Sequence, residues 1–567
     1  MKYDTDAYRL IFPDDRPFIY VDSPGGDRLA ELFALSAVNA THGCDDTLST
    51  GAWFKTELPG ETIFTLEADS AVWQKKIYRL RCTPQRLRYE IEVQGSGQIA
   101  EVNYFGGCYS GHIRWGSGFF WSGQSFLCGF NPEPTKLEKY TFSADAGSTI
   151  NMTGVPLPGK SDWFFTPPPF CFAMQTKAGW LGMGVEARPG ENRFSEFRYH
   201  GLPEAFYLQL TYDGHTTVEG RRVLPAVGFD FADDAYTALK AHVDALRAAG
   251  YVPVPQKVEK PAWWRRPIFC GWGAQCEVAA QEKGRAPDYA QQSRYEGFLK
   301  TLEANGLQPG TVVLDDKWQL EYGENTVDTQ KWPDLPGFIA RQHAAGRKVL
   351  LWLKAWDPEG LPAEECITNA AGLPIAFDPT NPAFEQRLRQ SVRMMLSPEG
   401  YNADGFKIDF TARIPTGPHI RTYGDAWGLE LMKAYLSILY SEAKAVKPDA
   451  LVMTHTPHPY LADSLDMIRL NDINTDHPLN PAMIHRARVA AIACPEALID
   501  TDNWPMPDKD SWRSYLKIQP SLGVPSLYFT TNIDSTGESL DAEDYRLIQE
   551  IWKTAAARQE GLEWDIK

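Results

Sequence analysis

Two patterns of apolar and polar positions divide the chain. Up to about residue 255, short runs rich in aromatic and β-branched residues are separated by Gly, Pro, Asp and Asn. Such runs, bounded by turn residues, are typical of strands in antiparallel sheets. Examples are ETIFTLEA, KIYRLRC, RLRYEIEVQG and AFYLQLTYDG. We therefore predict an N-terminal antiparallel β-sandwich over residues 1–255.

One segment of this first region has helical spacing. The string ADDAYTALKAHVDALRAAG repeats apolar residues every three or four positions and ends at Gly250, a common helix stop. The segment that follows, YVPVPQKVEKPAWWRRP, is rich in proline and lacks periodicity. We place the domain boundary in it, between residues 255 and 256.

The second region alternates a short apolar string with a helical pattern. Amphipathic stretches such as YAQQSRYEGFLKTLEANG separate strings that end in polar residues. The eight strings are PIFCGW, TVVLDD, KVLLWLK, DGFKIDF, ALVMTH, DMIRLND, EALIDTD and VPSLYFTT. Eight such units over about 290 residues have the pattern and size of a (β/α)8 TIM barrel. The predicted fold is thus multidomain, with the barrel over residues 256–567 and a short C-terminal tail.

Composition and charge restrict the partners. The chain has 56 basic and 73 acidic residues, a formal charge of -17, which repels nucleic acid and anionic membranes. No window approaches the ~18 uninterrupted apolar residues of a membrane helix, and the first residues lack a signal-peptide core. Nine scattered cysteines without a CxxC pair favour neither disulfides nor zinc. We expect a cytoplasmic protein without nucleic-acid or membrane partners, whose first domain has aromatic surface suited to a homo-oligomer.

The candidate chemistry follows from where a barrel places its reacting groups, at the carboxyl ends of the strands. Neither a cluster with metal-ligand spacing, nor a Gly-rich phosphate loop, nor a nucleophile elbow is found there. Several carboxylates and cations converge instead, which favours a metal-free reaction such as glycoside hydrolysis by an acid pair. The polar residues at the strand ends are Trp272, Asp315, Asp316, Lys354, Lys407, Asp409, His455, Arg469, Asp472, Asp500, Asp502 and Thr530.

Asp409 is the candidate nucleophile. Lys407 and Asp409 are two apart on one strand, so both side chains point to the same side, which we take to be the barrel interior. A cation beside Asp409 would keep the carboxylate ionised at neutral pH, as a nucleophile requires. The alternative is an ion pair that only fills the barrel mouth.

Asp472 is the candidate acid. It follows Arg469 at the end of a later strand, where it could protonate the leaving oxygen across a bound sugar. Asp476 and Asp466 are alternatives for this role. Each could instead cap a helix, a frequent role of aspartate.

Other strand-end residues suit the binding of a sugar. Adjacent Asp315 and Asp316 offer acceptors for sugar hydroxyls, and the alternative for either is again a helix cap. Sugars have apolar faces that stack on aromatic rings. Any one tryptophan near a strand end more often belongs to the core, but several together favour a carbohydrate cleft. These tryptophans are Trp272, Trp318, Trp352, Trp356 and Trp504.

In this order the strings resemble the retaining α-galactosidase clan, and most closely glycoside hydrolase family thirty-six, whose members have a β-sandwich ahead of a barrel. The matching strings are CGW at the first strand, LDD at the second, LLWLKAW at the third, KID with Phe410 at the fourth, and an arginine with a following acid at the sixth. The resemblance implies retaining hydrolysis of a terminal α-glycoside without cofactor or metal.

The resemblance also implies roles for individual residues. Asp409 aligns with the nucleophile of the family, and Asp472 aligns with its general acid/base. The residues that align with those holding the sugar are Lys407, Arg469, Asp315 and Asp316.

Three departures from the family pattern affect the expected substrate. Arg469 and Asp472 are one residue closer than usual, and His455 and His458 replace a small Cys-Gly-Ser type turn. Lys354 occupies a position that is usually neutral, where it could bind an anionic or unusually substituted sugar or extend from the rim into solvent. We predict an exo-acting, α-galactosidase-like hydrolase of oligosaccharides or glycosides. The alternatives are hydrolysis or transglycosylation of another α-sugar (an α-glucoside, an α-N-acetylgalactosaminide, or an acidic or modified sugar) and a non-catalytic sugar-binding barrel.

Overall fold

The computed structural model describes residues 1–110, 118–135, 139–151, 167–254, 259–470, 472 and 478–558. Its N-terminal region is rich in strands, which confirms the sequence pattern, whereas the assignment to a sandwich stays a prediction. The hydrogen-bonded strands of this region are β1 (Lys2–Asp4), β2 (Arg9–Ile11), β3 (Phe18–Asp22), β4 (Arg28–Phe33), β5 (Ala37–Ala40), β6 (Asp46–Thr50), β7 (Phe54–Leu58), β8 (Glu61–Ser70), β9 (Lys75–Cys82), β10 (Arg86–Tyr104), β11 (Gly106–Tyr109), β12 (Phe119–Gln124), β13 (Cys128–Thr135), β14 (Lys139–Phe142), β15 (Ser148–Asn151), β16 (Cys171–Thr176), β17 (Gly179–Glu186), β18 (Glu196–Leu202), β19 (Ala205–Val223) and β20 (Ala226–Ala232).

Strand pairing in this region is mostly antiparallel. The long strands β10 and β19 pair from Glu92 opposite Val223 to Tyr104 opposite Leu208. In β8, Phe64 and Leu66 are buried while Thr65 between them is less buried. This period-two pattern is the reason the segment forms a strand, because only one face meets the core.

Helix α1 (Ala235–Ala248) packs on the sheet and confirms the predicted helix. The Asp234 carboxylate accepts the backbone N–H groups of Tyr236 and Thr237 at its start, and Gly250 beyond its end has a left-handed φ of 69°. The predicted boundary between residues 255 and 256 falls within 255–258, outside the described residues, and stays a prediction.

The second region is a parallel eight-stranded barrel, which confirms the predicted (β/α)8 topology. Strands β21 and β30 pair in parallel, and a bridge between Asp500 and Val524 completes the ring. The barrel strands are β21 (Ile268–Cys270), β22 (Thr311–Leu314), β23 (Lys348–Lys354), β26 (Gly405–Asp409), β27 (Leu451–Thr454), β28 (Met467–Arg469), β29 (Leu498–Asp500) and β30 (Ser526–Leu527), with a hairpin of β24 (Cys366–Thr368) and β25 (Pro374–Phe377) after β23.

Helices follow most of the barrel strands. They cover the outside of the ring, so the strands are buried on both faces and their sequences are continuous apolar strings. The helices are α2 (Trp272–Glu282), α3 (Gln292–Ala304), α4 (Leu335–Ala344), α5 (Pro382–Leu396), α6 (Leu429–Val446), α7 (Leu479–Ala493), α8 (Lys509–Leu522) and α9 (Ala542–Arg558).

The strand-rich region packs directly against the barrel. The Glu430 carboxylate at the start of α6 accepts the backbone N–H groups of Gly190 (3.0 Å) and Asn192 (2.9 Å). The nine cysteines are free thiols. Among the helices of the described residues, none is long and apolar enough to cross a membrane.

Candidate active site

Asp409 is the last residue of β26, at the carboxyl end of the barrel. In the parallel pairing of β26 with β23, Lys407 lies opposite Trp352. The Asp409 carboxylate accepts hydrogen bonds from the Phe410 backbone N–H (2.9 Å), Trp352 Nε1 (3.2 Å) and Arg469 Nη2 (3.1 Å). Only 14% of its side chain is exposed. These donors fix the orientation of the carboxylate.

Neighbouring charges keep Asp409 ionised. Burial by itself raises the pKa of Asp409, but the positive charges of Arg469 and Lys407 outweigh burial. The imidazole of His455, whose Nε2 lies 3.5 Å from Asp409 Oδ1, acts in the same direction. The pKa of Asp409 therefore lies well below its usual value, and the group is an anion at neutral pH.

Arg469, the last residue of β28, joins three carboxylates in the described part of the chain. Its Nη2 contacts Asp409 Oδ1, and its Nη1 contacts Asp472 Oδ1, each at 3.1 Å. The same Nη1 forms an ion pair with Asp502 Oδ2. A fully buried guanidinium thus connects both predicted catalytic residues to a third acid, Asp502, which the sequence placed at a strand end without assigning it a role.

The environment of Asp472 favours its protonated form. Burial and the negative charges of Asp409 and Asp502 raise the pKa of Asp472 to about 6, against the opposing effect of Arg469. Its side chain is 31% exposed, so it can reach a ligand.

The two alternatives for the acid have different outcomes. Asp466 precedes β28 and binds the Val452 N–H (2.8 Å) and Lys444 Nζ (2.7 Å) at the opposite end of the barrel, so the alternative role for Asp466 is wrong. Asp476 lies outside the described residues.

Lys407 contacts a different acid from the one expected. Its Nζ donates to Asp315 Oδ2 at 2.7 Å, and the Cys270 thiol donates to the same oxygen at 3.0 Å. Burial by itself lowers the pKa of Lys407, but the negative charge of Asp315 outweighs burial. The net pKa of Lys407 is raised, so the ammonium stays charged. The direct cationic contact of Asp409 is therefore Arg469, and Lys407 acts on Asp409 only through the field of its charge.

Asp316 belongs to a second cluster at the mouth. Strand β22 ends at Leu314, so the chain is already turning, and Asp316 accepts the Tyr322 hydroxyl at 2.7 Å. Burial raises the pKa of Asp316 to about 6, although the Tyr322 hydrogen bond opposes this. Lys354 Nζ lies 4.1 Å from the centre of the Tyr322 ring and pairs with Asp357 at 2.7 Å. Lys354 therefore faces this cluster instead of extending freely into solvent.

The tryptophans divide into buried and partly exposed rings. Trp318, Trp352 and Trp356 are at most 3% exposed, so they present no face on which a sugar could stack. Trp352 contributes instead a hydrogen bond to Asp409. Trp272 and Trp504 are only partly buried and meet edge to face at 5.9 Å. The predicted contact of Trp272 with a ligand stays a prediction.

The two histidines of the fifth strand end have separate surroundings. His455 lies beside Asp409, and its Nε2 is 3.2 Å from Thr411 Oγ1. His458 accepts the Tyr460 backbone N–H and packs against the Phe170 ring at 4.6 Å. Burial lowers the pKa of His458 to about 3, so it is a neutral packing residue.

Sequence reasoning missed two residues of the site. Asp502 stood among the polar strand ends, but nothing in the sequence indicates that it contacts Arg469, which is 33 residues away. Tyr322 lies in the loop after β22, where no periodicity marks a position. Over the described residues, no group of three or more His, Cys, Asp or Glu side chains is arranged to hold a metal ion.

The solved structures that share this fold include glycoside hydrolases. No family model and no curated protein matches the sequence. Similar solved structures include a GH31 family sulfoquinovosidase from E. rectale in complex with an aza-sugar inhibitor (TM-score 0.61, 11% identity, 99% of this chain and 83% of that chain covered). Others are the α-galactosidase from Lactobacillus brevis (0.53, 10%, 99% and 83%) and the α-galactosidase TtGalA from Thermus thermophilus in complex with stachyose (0.51, 13%, 88% and 99%). At this identity the likeness shows the fold alone, and membership of family thirty-six stays a prediction.

Proposed function

We propose that the protein is a retaining, exo-acting α-glycoside hydrolase with an α-galactoside as its leading substrate class. Asp409 is the nucleophile and Asp472 the general acid/base. The observation that carries the proposal is that one guanidinium contacts both carboxylates, while their pKa values are shifted in opposite directions. A nucleophile must be ionised and an acid protonated at the same pH, so opposite shifts assign the two roles.

In the first step, Asp409 attacks the anomeric carbon while Asp472 gives its proton to the leaving oxygen. In the second step, Asp472 takes a proton from water, which attacks the same carbon and releases Asp409. Two inversions give retention, and this route requires carboxyl groups only about 5–5.5 Å apart, against 6.5–9.5 Å for inversion. The shared contact with Arg469 favours the shorter separation.

A second candidate substrate class is an α-glycoside whose sugar carries an anionic group. Lys354 supports this class, because its ammonium lies at the strand end beside Tyr322, near the mouth that holds Asp409. A sulfoquinovosidase is among the structural neighbours. An ammonium can pair with a sulfonate or carboxylate, whereas a neutral α-galactoside has no anionic group with which it could pair.

The test is a panel of aryl α- and β-glycosides that includes galactosides, glucosides, N-acetylgalactosaminides and sugars with a carboxylate or sulfonate. The first-formed anomer is followed by NMR. We expect the α anomer, and a loss of about 10³-fold or more in kcat for Asp409→Asn. Asp472→Asn should lose less activity on aryl glycosides with good leaving groups, because such groups need little protonation. Asp466→Asn is the matched control, since this buried aspartate lies at the opposite end of the barrel.

Each other outcome identifies an alternative. A first-formed β anomer from an α-glycoside would contradict the nucleophilic role of Asp409. Cleavage of anionic glycosides only would select the second substrate class, and products extended by an added acceptor sugar would indicate transglycosylation. Glycan binding without cleavage of any substrate would indicate a non-catalytic barrel.

A further inference from the structure

We propose that Asp502 is a positioning residue of this site, which holds the Arg469 guanidinium between Asp409 and Asp472 and takes up part of its charge. The inference rests on the proposed function in so far as Asp409 and Asp472 are the catalytic pair. Asp502 itself touches neither of the two carboxylates in the hydrogen bonds of the described residues.

The geometry of the contact supports this role. Asp502 follows β29, which pairs in parallel with β28 so that Arg469 lies opposite Asp500. Asp502 Oδ2 pairs with Arg469 Nη1, the same nitrogen that contacts Asp472, while Nη2 contacts Asp409. Asp502 therefore approaches the guanidinium from the end of the neighbouring strand β29. It competes with Asp472 for Nη1 of Arg469.

Asp502 is itself held rigidly. Its Oδ1 accepts the backbone N–H groups of Asn503 (2.6 Å) and Trp504 (3.1 Å), and its carbonyl accepts Gln519 Nε2 (2.9 Å). Its own N–H donates to Asp500 Oδ1 at 3.0 Å. A fully buried carboxylate with this many fixed partners can orient an arginine before any ligand arrives.

The backbone of Asp502 also limits what can replace it. Its φ is 56°, in the left-handed region, which Asp and Asn adopt more readily than other side chains. Asp502→Asn therefore removes the charge while keeping the backbone and most hydrogen-bond acceptors. It is the variant of choice.

Removing this charge should act on Asp472 in one direction. The negative charge of Asp502 opposes ionisation of Asp472, and its ion pair draws on the Arg469 charge that would favour ionisation. Both effects disappear in Asp502→Asn, so the pKa of Asp472 should fall below about 6. Asp409 should respond in the same direction, but its pKa is already too low to affect a pH profile near neutrality.

Other charged and titratable groups that face this cluster do not reverse the prediction. Asp500 on β29 is bound to Ser526 and contacts Arg469 through neither of its oxygens in the described hydrogen bonds. The remaining groups are Lys407 on β26, His455 after β27, Tyr528 after β30, and Tyr515 on α8 with Arg486 on α7. The charge of Asp502 raises the pKa values of Asp500, Tyr528 and Tyr515, so these values fall in the variant. The main charges that act on the pKa of Asp472 are those of Arg469, Asp409 and Asp502.

The first measurement is the pH dependence of kcat/KM with an activated aryl α-glycoside. We expect the basic limb of Asp502→Asn to move to lower pH by about one unit, because Asp472 must be protonated to act as the acid. A residue with a purely structural role would lower the melting temperature or kcat without moving this limb. Asp466→Asn, a buried aspartate paired with Lys444, should leave the limb in place.

The second measurement needs no turnover. Asp472 is 31% exposed and can be labelled with a water-soluble carbodiimide, whose reaction with the protonated carboxyl is followed across pH by peptide mass spectrometry. The labelling midpoint should lie near 6 in the wild type and lower in Asp502→Asn. A midpoint that moves without cleavage of any glycoside would remove the proposed function and keep this inference.

An unmoved limb together with an unmoved labelling midpoint would overturn the inference. If Asp502→Asn does not fold, Asp502→Glu provides the second test, because it keeps the charge and displaces the carboxylate. We then expect the basic limb to move to lower pH, because the displaced carboxylate no longer competes with Asp472 for Arg469 Nη1. An unmoved basic limb in that variant would equally overturn the positioning role.

Discussion

The aspartates of this site differ in pKa because each has different neighbours. Asp409 has a cation in direct contact and a lowered pKa, whereas Asp472 shares the same cation with two other carboxylates and has a pKa raised to about 6. Burial raises the pKa of Asp316 to about 6 as well, although the hydrogen bond from the neutral Tyr322 hydroxyl lowers it. If sugar binding needs Asp316 ionised and catalysis needs Asp472 protonated, activity is confined to a narrow range around pH 6.

At the same scale, Tyr322→Phe should move the acidic side of that range. The Tyr322 hydroxyl donates to Asp316 and lowers the pKa of Asp316, so its removal raises this pKa further. The anionic acceptor is then lost at a higher pH than in the wild type. We expect the acidic limb of kcat/KM to move to higher pH by about one unit. Relative to the wild type at the same pH, activity should be several-fold weaker near pH 6 and almost unchanged at pH 8.

The control for this variant is Tyr440→Phe. Tyr440 also donates its hydroxyl to a buried aspartate, Asp466, at the opposite end of the barrel. It should leave the acidic limb unchanged while lowering stability slightly. An acidic limb that stays in place in Tyr322→Phe would show that Asp316 does not control substrate binding.

At the scale of elements, the sequence predicted the strand ends well and the loops poorly. The eight barrel strands and α1 follow from local periodicity, and the two-residue spacing of Lys407 and Asp409 is a property of one strand. The partner of each charge is set by register between strands. Sequence reasoning therefore placed Lys407 against Asp409, whereas the barrel brings it to Asp315, the residue that follows β22.

The ion pair between Lys407 and Asp315 should stabilise the barrel only as an intact pair. Both side chains are buried, so Lys407→Met leaves an uncompensated carboxylate and should reduce the free energy of unfolding by about 3 kcal/mol or more. Urea unfolding followed by tryptophan fluorescence measures this loss. The double variant Lys407→Met/Asp315→Leu should recover most of it.

Lys354→Met is the matched comparison, because its pair with Asp357 is about one-fifth exposed on each side. We expect a loss of about 1 kcal/mol or less for this more accessible pair. Equal losses for the two lysine variants, or a double variant no more stable than Lys407→Met, would contradict the importance of burial.

At the scale of the whole molecule, buried neutral histidines lie where the strand-rich region meets the barrel. His485 on α7 contacts the Tyr236 hydroxyl of α1 through Nδ1 (2.8 Å) and the Pro132 carbonyl of β13 through Nε2 (3.2 Å). Since Nε2 must donate to a carbonyl, Nδ1 accepts the phenol proton, and the contact requires a neutral ring. Periodicity could not predict this contact, because its partners lie hundreds of residues apart.

This interface should make the molecule sensitive to acid. Burial lowers the pKa of His485 to about 3, while the unfolded chain binds the same proton near 6.5. Between these values the unfolded state holds more protons, so stability falls as the pH drops below 6.5. His485→Gln can keep both hydrogen bonds without titrating. Its free energy of unfolding should depend less on pH between 5 and 6 than that of the wild type, by about 1.4 kcal/mol per pH unit.

The pH dependence of the free energy of unfolding is compared between the wild type and His485→Gln. The carboxylates of the site have pKa shifts in both directions, but these shifts are common to the two proteins, so the difference between the slopes reports on His485. Urea unfolding of the two proteins at pH 5, 5.5, 6 and 7.5 gives the slopes. Tyr236→Phe is the control, because it removes the phenol from the same contact while leaving the histidine to titrate, and should keep most of the wild-type slope. If His485→Gln retained the full slope, acid sensitivity would arise elsewhere, with His458 and its pKa of about 3 as the next residue to replace.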